Sequence, residues 1–217
     1  TPYCVLAENV KKDFRAKYVV GGQLTDRTFT PLICSIYSGM LESDEIPSHL
    51  DEIVKIIKDN GYAFRCGVHG LRMLFDVLGQ YGYNDLVYKV LTNDSKIGYA
   101  RCVADKITSL PEEFDYRSEK TPDGVQYSLN HHFTAVVEGW FFRYLAGIRL
   151  EGFGWESLTI EPRLVKGIDD FSASVRGVKV KKCGKTIKIT SPYDFNLVLG
   201  ENNGRYKAGE YEFTVGE

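Results

Sequence analysis

Residues 133–148, FTAVVEGWFFRYLAGI, form the most apolar run of the chain and decide how the fold is divided. Only Glu138 and Arg143 interrupt this run; we predict a helix here, too short and too charged to span a bilayer. Apolar residues recur at helical spacing before Gly147 and alternate with polar residues after it. This change of period predicts a helical domain over residues 1–150 and a β-domain over residues 151–217.

Upstream of this run, apolar residues recur at positions i, i+3, i+4 and i+7, which is typical of helices that bury one face. The stripes are Leu6, Val10 and Phe14; Leu50, Ile53, Val54 and Ile57; and Leu71, Leu74, Phe75 and Leu78. Because the connections are short, the pattern predicts antiparallel helical hairpins, with about six or seven helices.

Residues that favour helix ends divide these stripes. We expect Thr30-Pro31 to start one helix, Ser48 to cap the next and Asn84 to cap a later one. Asn60-Gly61 predicts a helix stop, because glycine adopts the left-handed conformation that commonly ends helices.

After Gly147, apolar residues alternate with polar ones over short segments. These segments are Leu158–Ile160, Phe171–Val175, Val178–Val180, Ile187–Ile189, Phe195–Leu199 and Tyr211–Val215. Cys183-Gly184 and Asn203-Gly204 are typical of the tight turns in hairpins. The pattern predicts an α+β multidomain fold in which the helices are followed by a small antiparallel β-sandwich or barrel.

The composition argues against several classes of function. The chain has 27 Lys and Arg against 29 Asp and Glu, so its net charge of −2 gives no reason to expect nucleic acid or a membrane as partner. It contains no Walker loop, no Gly-x-Gly-x-x-Gly motif and no Cys-x-x-Cys pair, so we expect no cofactor and no metal site. The five cysteines lie in apolar segments, and we expect them to be reduced and buried.

Two polar segments lie where the local pattern does not require them: the acidic loop Leu110–Asp115 and the segment Ser128–Phe133, which opens the apolar helix. Most acidic loops are solvated surface, and polar residues at a helix start usually cap it, as Asn130 could do here. The adjacent His131 and His132 have no third ligand at helical spacing, so the sequence does not indicate a metal site.

The motifs around these segments resemble those of α-L-rhamnosidases of glycoside hydrolase family 78. The matching stretches are Cys66–Gly70, Leu78–Tyr83, Ser128–His131, Trp140, Arg143–Ile148 and Leu158–Arg163. They follow the order found in the family and cover most of the chain. The resemblance implies the second half of an (α/α)6 toroid followed by a β-sandwich, as in the C-terminal part of a bacterial enzyme of this kind.

The resemblance also implies roles for individual residues in an inverting mechanism. Glu112 occupies the place of the general base, in a loop ahead of the helix that begins with Asn130 and His131. His131 and Asn130 would then contact hydroxyl groups of the sugar. Tyr127 and Trp140 are candidate apolar walls for the methyl group and ring of the sugar, with a place in the core as the alternative for Trp140.

The chain departs from the family pattern at two of these places. Pro111 and Glu113 replace the Trp and Arg that flank the base in the family, so Glu113 is a rival for the role of base. Glu138-Gly139 reverses the usual order ahead of the tryptophan. We expect Glu138 to be a buried structural carboxylate near Arg143.

The general acid of the family has no counterpart here. Nothing before Cys66 resembles the acid-bearing motif, and a role at a helix start accounts for Asp26-Arg27. We therefore expect a chain that carries the base, lacks the acid and is inactive alone. The implied partners are a rhamnose-containing glycan or glycoside and the N-terminal half of the toroid. An exposed apolar flank would also favour self-association.

Other functions are compatible with the same architecture. A non-catalytic carbohydrate-binding or assembly module would have these elements, and glycan binding without turnover would distinguish it. A helical-repeat scaffold is disfavoured, because the chain has no fixed internal period of matching residues. Other helical-toroid hydrolases and lyases share the architecture, which fold alone cannot separate.

Overall fold

The computed structural model describes residues 1–63, 66–94, 98–115, 128–152 and 157–216. The chain divides into two compact units, one made of residues 1–81 and 89–136 and the other of residues 82–88 and 137 onward. We call the first the helical unit and the second the β unit. Residues 137–150 group with the strands that follow them. The domain boundary at residue 150 stays a prediction from the change of period.

The helical unit consists of consecutive helices and one short antiparallel hairpin. The elements of this part of the chain are α1 Pro2–Tyr18, β1 Val19–Val20, β2 Gln23–Leu24, α2 Phe29–Tyr37, α3 Ile46–Asp59, α4 Val68–Gln80, α5 Asn84–Leu91 and α6 Tyr99–Ala104. Helix α5 contributes residues to both units. Among the residues described, none of the helices is both long enough and apolar enough to span a membrane.

The core of the helical unit is built from the apolar stripes that the sequence predicts. The buried side chains are Leu32 and Ile33 of α2, Leu50, Ile53 and Ile57 of α3, and Leu71, Leu74, Phe75 and Leu78 of α4. Helix α4 packs against α2, and α2 packs against α3. Each fully buried Leu or Ile stabilises the fold by about 1.5–3 kcal/mol. The predicted apolar stripes of α3 and α4 are therefore confirmed as determinants of this packing.

Two of the predicted helix starts are wrong, because side chains nearby hold the backbone differently. Helix α2 begins two residues earlier than Thr30-Pro31 suggested, after Thr28. The carboxylate of Asp26 accepts hydrogen bonds from the Thr28 N–H at 3.0 Å and from its hydroxyl at 2.7 Å, which fixes the turn. Ser48 lies inside the first turn of α3, where its hydroxyl donates to the Glu45 carbonyl at 2.9 Å.

The remaining two predicted ends have different outcomes. Asn84 does begin α5, but its side-chain oxygen accepts the indole N–H of Trp140 at 2.9 Å rather than capping the helix. Helix α3 ends at Asp59, and Gly61 has a φ of 66°, so the predicted stop is confirmed.

Helix α1 departs most from the prediction. Leu6 and Val10 were expected to face inward, yet they are 59% and 49% exposed, and no residue of α1 is buried. The expectation is therefore wrong for Leu6 and Val10, whereas Phe14, the third residue of the stripe, is half-buried. Ion pairs hold the helix instead. Arg15 donates to the two carboxylate oxygens of Glu45 at 2.6 and 2.8 Å, and Lys11 lies 3.2 Å from Glu42.

The β unit contains two four-stranded sheets. Its strands are β3 Ile148–Glu151, β4 Ser157–Ile160, β5 Asp170–Val175, β6 Val178–Cys183, β7 Thr186–Ser191, β8 Phe195–Leu197, β9 Gly204–Tyr206 and β10 Gly209–Thr214. One sheet has the order β10-β7-β6-β5 and is antiparallel throughout. The other has the order β3-β4-β8-β9, and β4 pairs with β8 in parallel because three strands of the first sheet separate them along the chain.

The predicted β-domain is confirmed as a largely antiparallel module with one apolar core. The core side chains are Leu158, Ile160, Val178, Val180, Ile187, Ile189, Phe195, Leu197, Leu199, Phe213 and Val215, with Ala146 and Ile148 from the end of the apolar run. Residues that alternate along β6 and β7 supply its centre, as expected for strands with one buried face.

The apolar run is helical, but it is not one regular α-helix. It passes from a 3₁₀ segment at His132–Val136 through one α-helical turn, α7 Val137–Trp140, into a π segment at Phe141–Leu145. The helical part of the run ends at Leu145, and Gly147 follows with a φ of 70°. A Cβ atom at this position would lie 2.0 Å from the Glu161 carbonyl, so the close approach of the two backbone segments requires glycine.

The five cysteines are all free thiols, but they are not all buried. Cys102 is buried, and its pKa is raised to about 11; burial likewise raises the pKa of Cys66 to about 12. Cys4 and Cys183 are exposed, so the expectation of buried thiols is wrong for these two. The exposure of Cys183 follows from the alternation of β6, because this residue takes an outward position next to the turn.

Replacing Glu45 by Gln tests how α1 is held. Hydrogen bonds from the Arg15 guanidinium lower the pKa of Glu45 from 4.5 to about 2. Because this pKa is lower in the folded state, the stabilisation is present above about pH 4.5 and is lost as the pH falls towards 2. We expect Glu45→Gln to lower the free energy of unfolding at pH 7 by about 1–2 kcal/mol and to flatten its pH dependence between about pH 2 and 5.

Urea unfolding at several pH values measures both effects. Asp59→Asn is the matched control, because Asp59 pairs with Lys55 on the exposed surface of α3 and should change the free energy of unfolding much less than Glu45→Gln does. An unchanged acid dependence in Glu45→Gln would contradict the assignment.

Candidate functional site

The two polar segments that the sequence singled out are joined by backbone hydrogen bonds. The N–H of Glu112 donates to the Ser128 carbonyl, and the N–H of His131 donates to the Leu110 carbonyl, each at 2.8 Å. The Ser109 hydroxyl adds a third bond to the Leu129 carbonyl. These bonds fix the acidic loop against the start of the apolar run. The backbone therefore determines how far apart Glu112 and His131 lie.

This pairing brings the carboxylate of Glu112 and the imidazole of His131 face to face. Glu112 Oε1 lies 3.9 Å from His131 Nε2, and the two side chains are 41% and 26% exposed. The separation is too long for a direct hydrogen bond, so both groups keep capacity to bind a water or a hydroxyl group. Glu113, the rival for the role of base, is exposed.

Within the described part of the chain, the second ring nitrogen of His131 has no hydrogen-bond partner. Nδ1 is buried, and no donor or acceptor among the described residues reaches it. Leaving a buried polar atom unpaired costs about 1–3 kcal/mol, so such atoms are rare in folded proteins and each requires an explanation. An imidazole that has one buried, unpaired nitrogen and whose other nitrogen lies near a partly exposed carboxylate is more typical of a binding or catalytic site than of a structural pair.

Tyr99 and Thr134 support the site from behind. The Thr134 hydroxyl donates to the His131 carbonyl at 2.7 Å, and the Tyr99 hydroxyl donates to the Thr134 carbonyl. The Tyr99 ring packs edge-on against Phe114, with 4.7 Å between ring centroids. Tyr99 therefore contacts both arms of the site, and its burial raises the pKa of its phenol. The sequence gives no signal for this role, because Tyr99 lies on a different helix.

The other predicted sugar contacts have different outcomes. Asn130 is exposed next to His131, and its backbone N–H donates to the Ser128 hydroxyl at 3.2 Å. Tyr127 lies outside the described residues. Trp140 is fully buried, and its N–H bonds to Asn84, so it offers no surface to a sugar and the core alternative describes it.

One exposed aromatic side chain beside the site was not predicted. Phe133 is 41% exposed, and its ring centroid lies 5.5 Å from that of His131 and 4.1 Å from that of His132. The sequence offered only a weak signal, because Phe133 opens the apolar run, where aromatic residues are usually buried. An exposed ring here is a candidate apolar contact for a sugar.

Two acidic residues outside the site can now be placed. Asp26 accepts two hydrogen bonds from Thr28, which lower the pKa of its carboxyl, in agreement with the predicted role at a helix start. Glu138 is exposed, so the expectation of a buried carboxylate is wrong. It lies on the outer side of α7, whereas Val137 and Trp140 take the buried side. In the part of the chain that the structure describes, no three His, Cys, Asp or Glu side chains come together as metal ligands.

Comparison with known proteins identifies relatives of the whole chain. It is 25% identical over 212 residues to an α-L-rhamnosidase of Formosa agariphila, covering 89% of this chain and 22% of that protein. It is 24% identical to an α-L-rhamnosidase of an Alteromonas species, covering 98% of this chain and 26% of that one. The chain therefore spans about a quarter of the length of the curated relatives it matches.

Solved structures show the same fold. The α-L-rhamnosidase of Aspergillus terreus superposes with a TM-score of 0.89 at 21% identity, over 99% of this chain and 27% of that one. The Streptomyces avermitilis α-L-rhamnosidase complexed with L-rhamnose gives 0.86 at 20% identity, over 99% of this chain and 24% of that one. Residues 1–145 match the family model of the bacterial α-L-rhamnosidase six-hairpin glycosidase domain. The chain belongs to this family of six-hairpin glycosidase domains.

Proposed function

We propose that this chain supplies the general base and part of the sugar site of an inverting glycoside hydrolase that removes terminal α-L-rhamnose. The observation that carries the proposal is the placement of Glu112 Oε1 3.9 Å from His131 Nε2, on two backbone segments that hydrogen-bond to each other. Both residues lie within the span of the family model.

The proposed mechanism requires two carboxyl groups on opposite sides of the glycosidic bond, about 6.5–9.5 Å apart. Glu112 takes a proton from a water molecule, whose oxygen then bonds to the anomeric carbon. The bond from that carbon to the leaving oxygen breaks, and the acid protonates the leaving oxygen. Partial exposure suits Glu112 to this role, because the base must reach a water at the open side of the site.

His131 is proposed to bind a ring hydroxyl of the sugar. Its Nε2 atom lies 3.9 Å from the Glu112 carboxylate on a partly exposed side chain, and an imidazole nitrogen can donate or accept according to the tautomer. Phe133 would contact the apolar face or methyl group of the sugar, since its ring is exposed beside the histidine. Asn130, which is exposed next to His131, remains a proposed polar contact for a hydroxyl group of the sugar.

The general acid is proposed to come from another part of a longer rhamnosidase. Asp26, the nearest acid-plus-arginine candidate, already accepts two hydrogen bonds and has a lowered pKa, which does not suit a proton donor. The exposed apolar residues of α1 are consistent with a partner on that side, either the N-terminal half of the toroid or, in its absence, a second copy of the chain.

Carbohydrate binding without catalysis is the second candidate. It is favoured by the exposed Phe133 ring beside a polar pair, an arrangement that can hold a sugar by contact with its apolar face and hydroxyl groups. Turnover in the longer protein separates the two functions.

The chain alone should not hydrolyse an alkyl α-L-rhamnoside. Without an acid the leaving alkoxide is not protonated, and general acid catalysis contributes about 10²–10⁴-fold. Release of free L-rhamnose measures the rate. A 4-nitrophenyl rhamnoside is the control substrate, because its leaving group needs little protonation. Turnover of the alkyl rhamnoside at about 1 s⁻¹ or faster would show that the chain contains an acid.

In the longer enzyme, Glu112→Gln should lower kcat by at least about 10²-fold, because glutamine keeps the shape of the side chain and cannot accept the proton. The free energy of unfolding should change little. Glu113→Gln is the matched control and should cost less than about tenfold in kcat, since Glu113 is an exposed residue of the same loop. A larger effect at Glu113 than at Glu112 would reverse the assignment of the base.

Thr134→Val should lower kcat by about 3–10-fold with a smaller change in KM, because it frees the His131 carbonyl from its hydrogen bond without changing side-chain volume much. We expect a loss of about 1–2 kcal/mol in unfolding free energy as well. Thr134→Ser keeps the hydroxyl and should restore kcat. If the serine variant is as slow as the valine variant, Thr134 acts through packing and not through His131.

A further inference from the structure

A cavity of about 560 Å³ in the β unit is bordered by three lysines, Lys166, Lys182 and Lys185. We propose that this cavity binds an oxyanion, namely a carboxylate, sulfate or phosphate group, carried on a small molecule of about the size of one sugar ring. The inference concerns a different unit from the Glu112–His131 site and does not depend on the proposed function.

The first observation is that Lys182 breaks the alternation of β6. Val178 and Val180 point into the core and are fully buried, and Lys182 takes the next inward position with only 8% of its surface exposed. Lysine is almost never buried to this extent unless it is paired, and an apolar residue would satisfy the pattern. A lysine at this position therefore requires a reason other than core packing.

The second observation is that Lys182 has hydrogen-bond acceptors but no opposite charge. Its ammonium donates to the carbonyls of Ile168 at 3.0 Å and Asp169 at 2.8 Å. Among the residues that the structure describes, no carboxylate lies within ion-pair distance of it. Carbonyl groups satisfy its N–H donors without neutralising the charge, so a buried cation of this kind is costly until an anion approaches.

The third observation is the make-up of the cavity wall. Lys166 and Lys185 add positive charge, against the two acidic residues Asp85 and Asp169. One oxygen of Asp85 already accepts the backbone N–H of Lys166 at 3.0 Å. The remaining wall is partly apolar: Leu164, Val165, Ile168 and Val215. The volume lies within the range of about 300–1,000 Å³ that holds small ligands, which leaves room for a body beyond the anionic group.

The alternative is that Lys182 only ties the 168–169 carbonyls to β6. That structural role needs no ligand, so titrating the chain with anions distinguishes it from the proposed anion site. We would record ¹H–¹⁵N spectra at constant ionic strength while adding sodium sulfate, sodium glucuronate and, as the uncharged analogue, glucose. Saturable shifts at residues 164–169 and 182–185 are expected with sulfate and glucuronate and not with glucose. Tighter binding of glucuronate than of sulfate is expected, and equal binding of the two would overturn the assignment to an anion carried on a sugar-sized molecule.

Lys182→Met keeps most of the apolar stem and removes the charge, so it should weaken anion binding at least about tenfold. Lys179→Met is the matched control, because Lys179 lies on the same strand with its side chain exposed on the opposite face. The affinity of this variant for the anion should be unchanged. If Lys182→Met does not fold, Lys166→Gln at the cavity wall should still weaken binding severalfold. The proposal is overturned if no anion gives saturable shifts, if Lys182→Met binds as well as the wild type, or if Lys179→Met weakens binding equally.

Discussion

The register between residues 109–112 and 128–131 is the constraint on which the candidate site depends. Two backbone hydrogen bonds and one from a serine hydroxyl hold these segments together, so neither Glu112 nor His131 needs to be positioned by the other. This matters because an exposed carboxylate–imidazole contact is worth little by itself and would not order two loops. The side chains are thereby left close enough for one water or hydroxyl group beside them to contact both.

Most of the helical core follows from local sequence, whereas helix starts and site neighbours do not. The α4 stripe is buried as predicted, since period alone identifies the face that can pack. Asn84 fails as a cap because Trp140, 56 positions away in the sequence, requires its oxygen. The role of Tyr99 cannot be predicted from the sequence for the same reason. Its contacts with Thr134 and Phe114 exist only because the tertiary fold brings these segments together.

Helix α1 shows the limit of periodicity in a different way. Its apolar residues have helical spacing, and the helix forms, but Leu6 and Val10 stay exposed and no residue of the helix is buried. Period predicts that a face exists, not what it packs against. The helix is held by charged side chains instead, so its attachment depends on pH and salt in a way that a packed helix would not.

The residues that resemble the rhamnosidase motifs separate into two kinds once burial and hydrogen bonds are counted. Trp140 and Gly147 are fully accounted for by structure: one is buried and hydrogen-bonded, and the other permits a backbone contact that any Cβ would block. Glu112 and His131 are not accounted for in this way. Both are partly exposed, and a buried nitrogen of the histidine has no partner among the described residues. A motif position that packing does not explain is the better candidate for chemistry, which is why the proposed mechanism rests on Glu112 and His131 and not on the tryptophan.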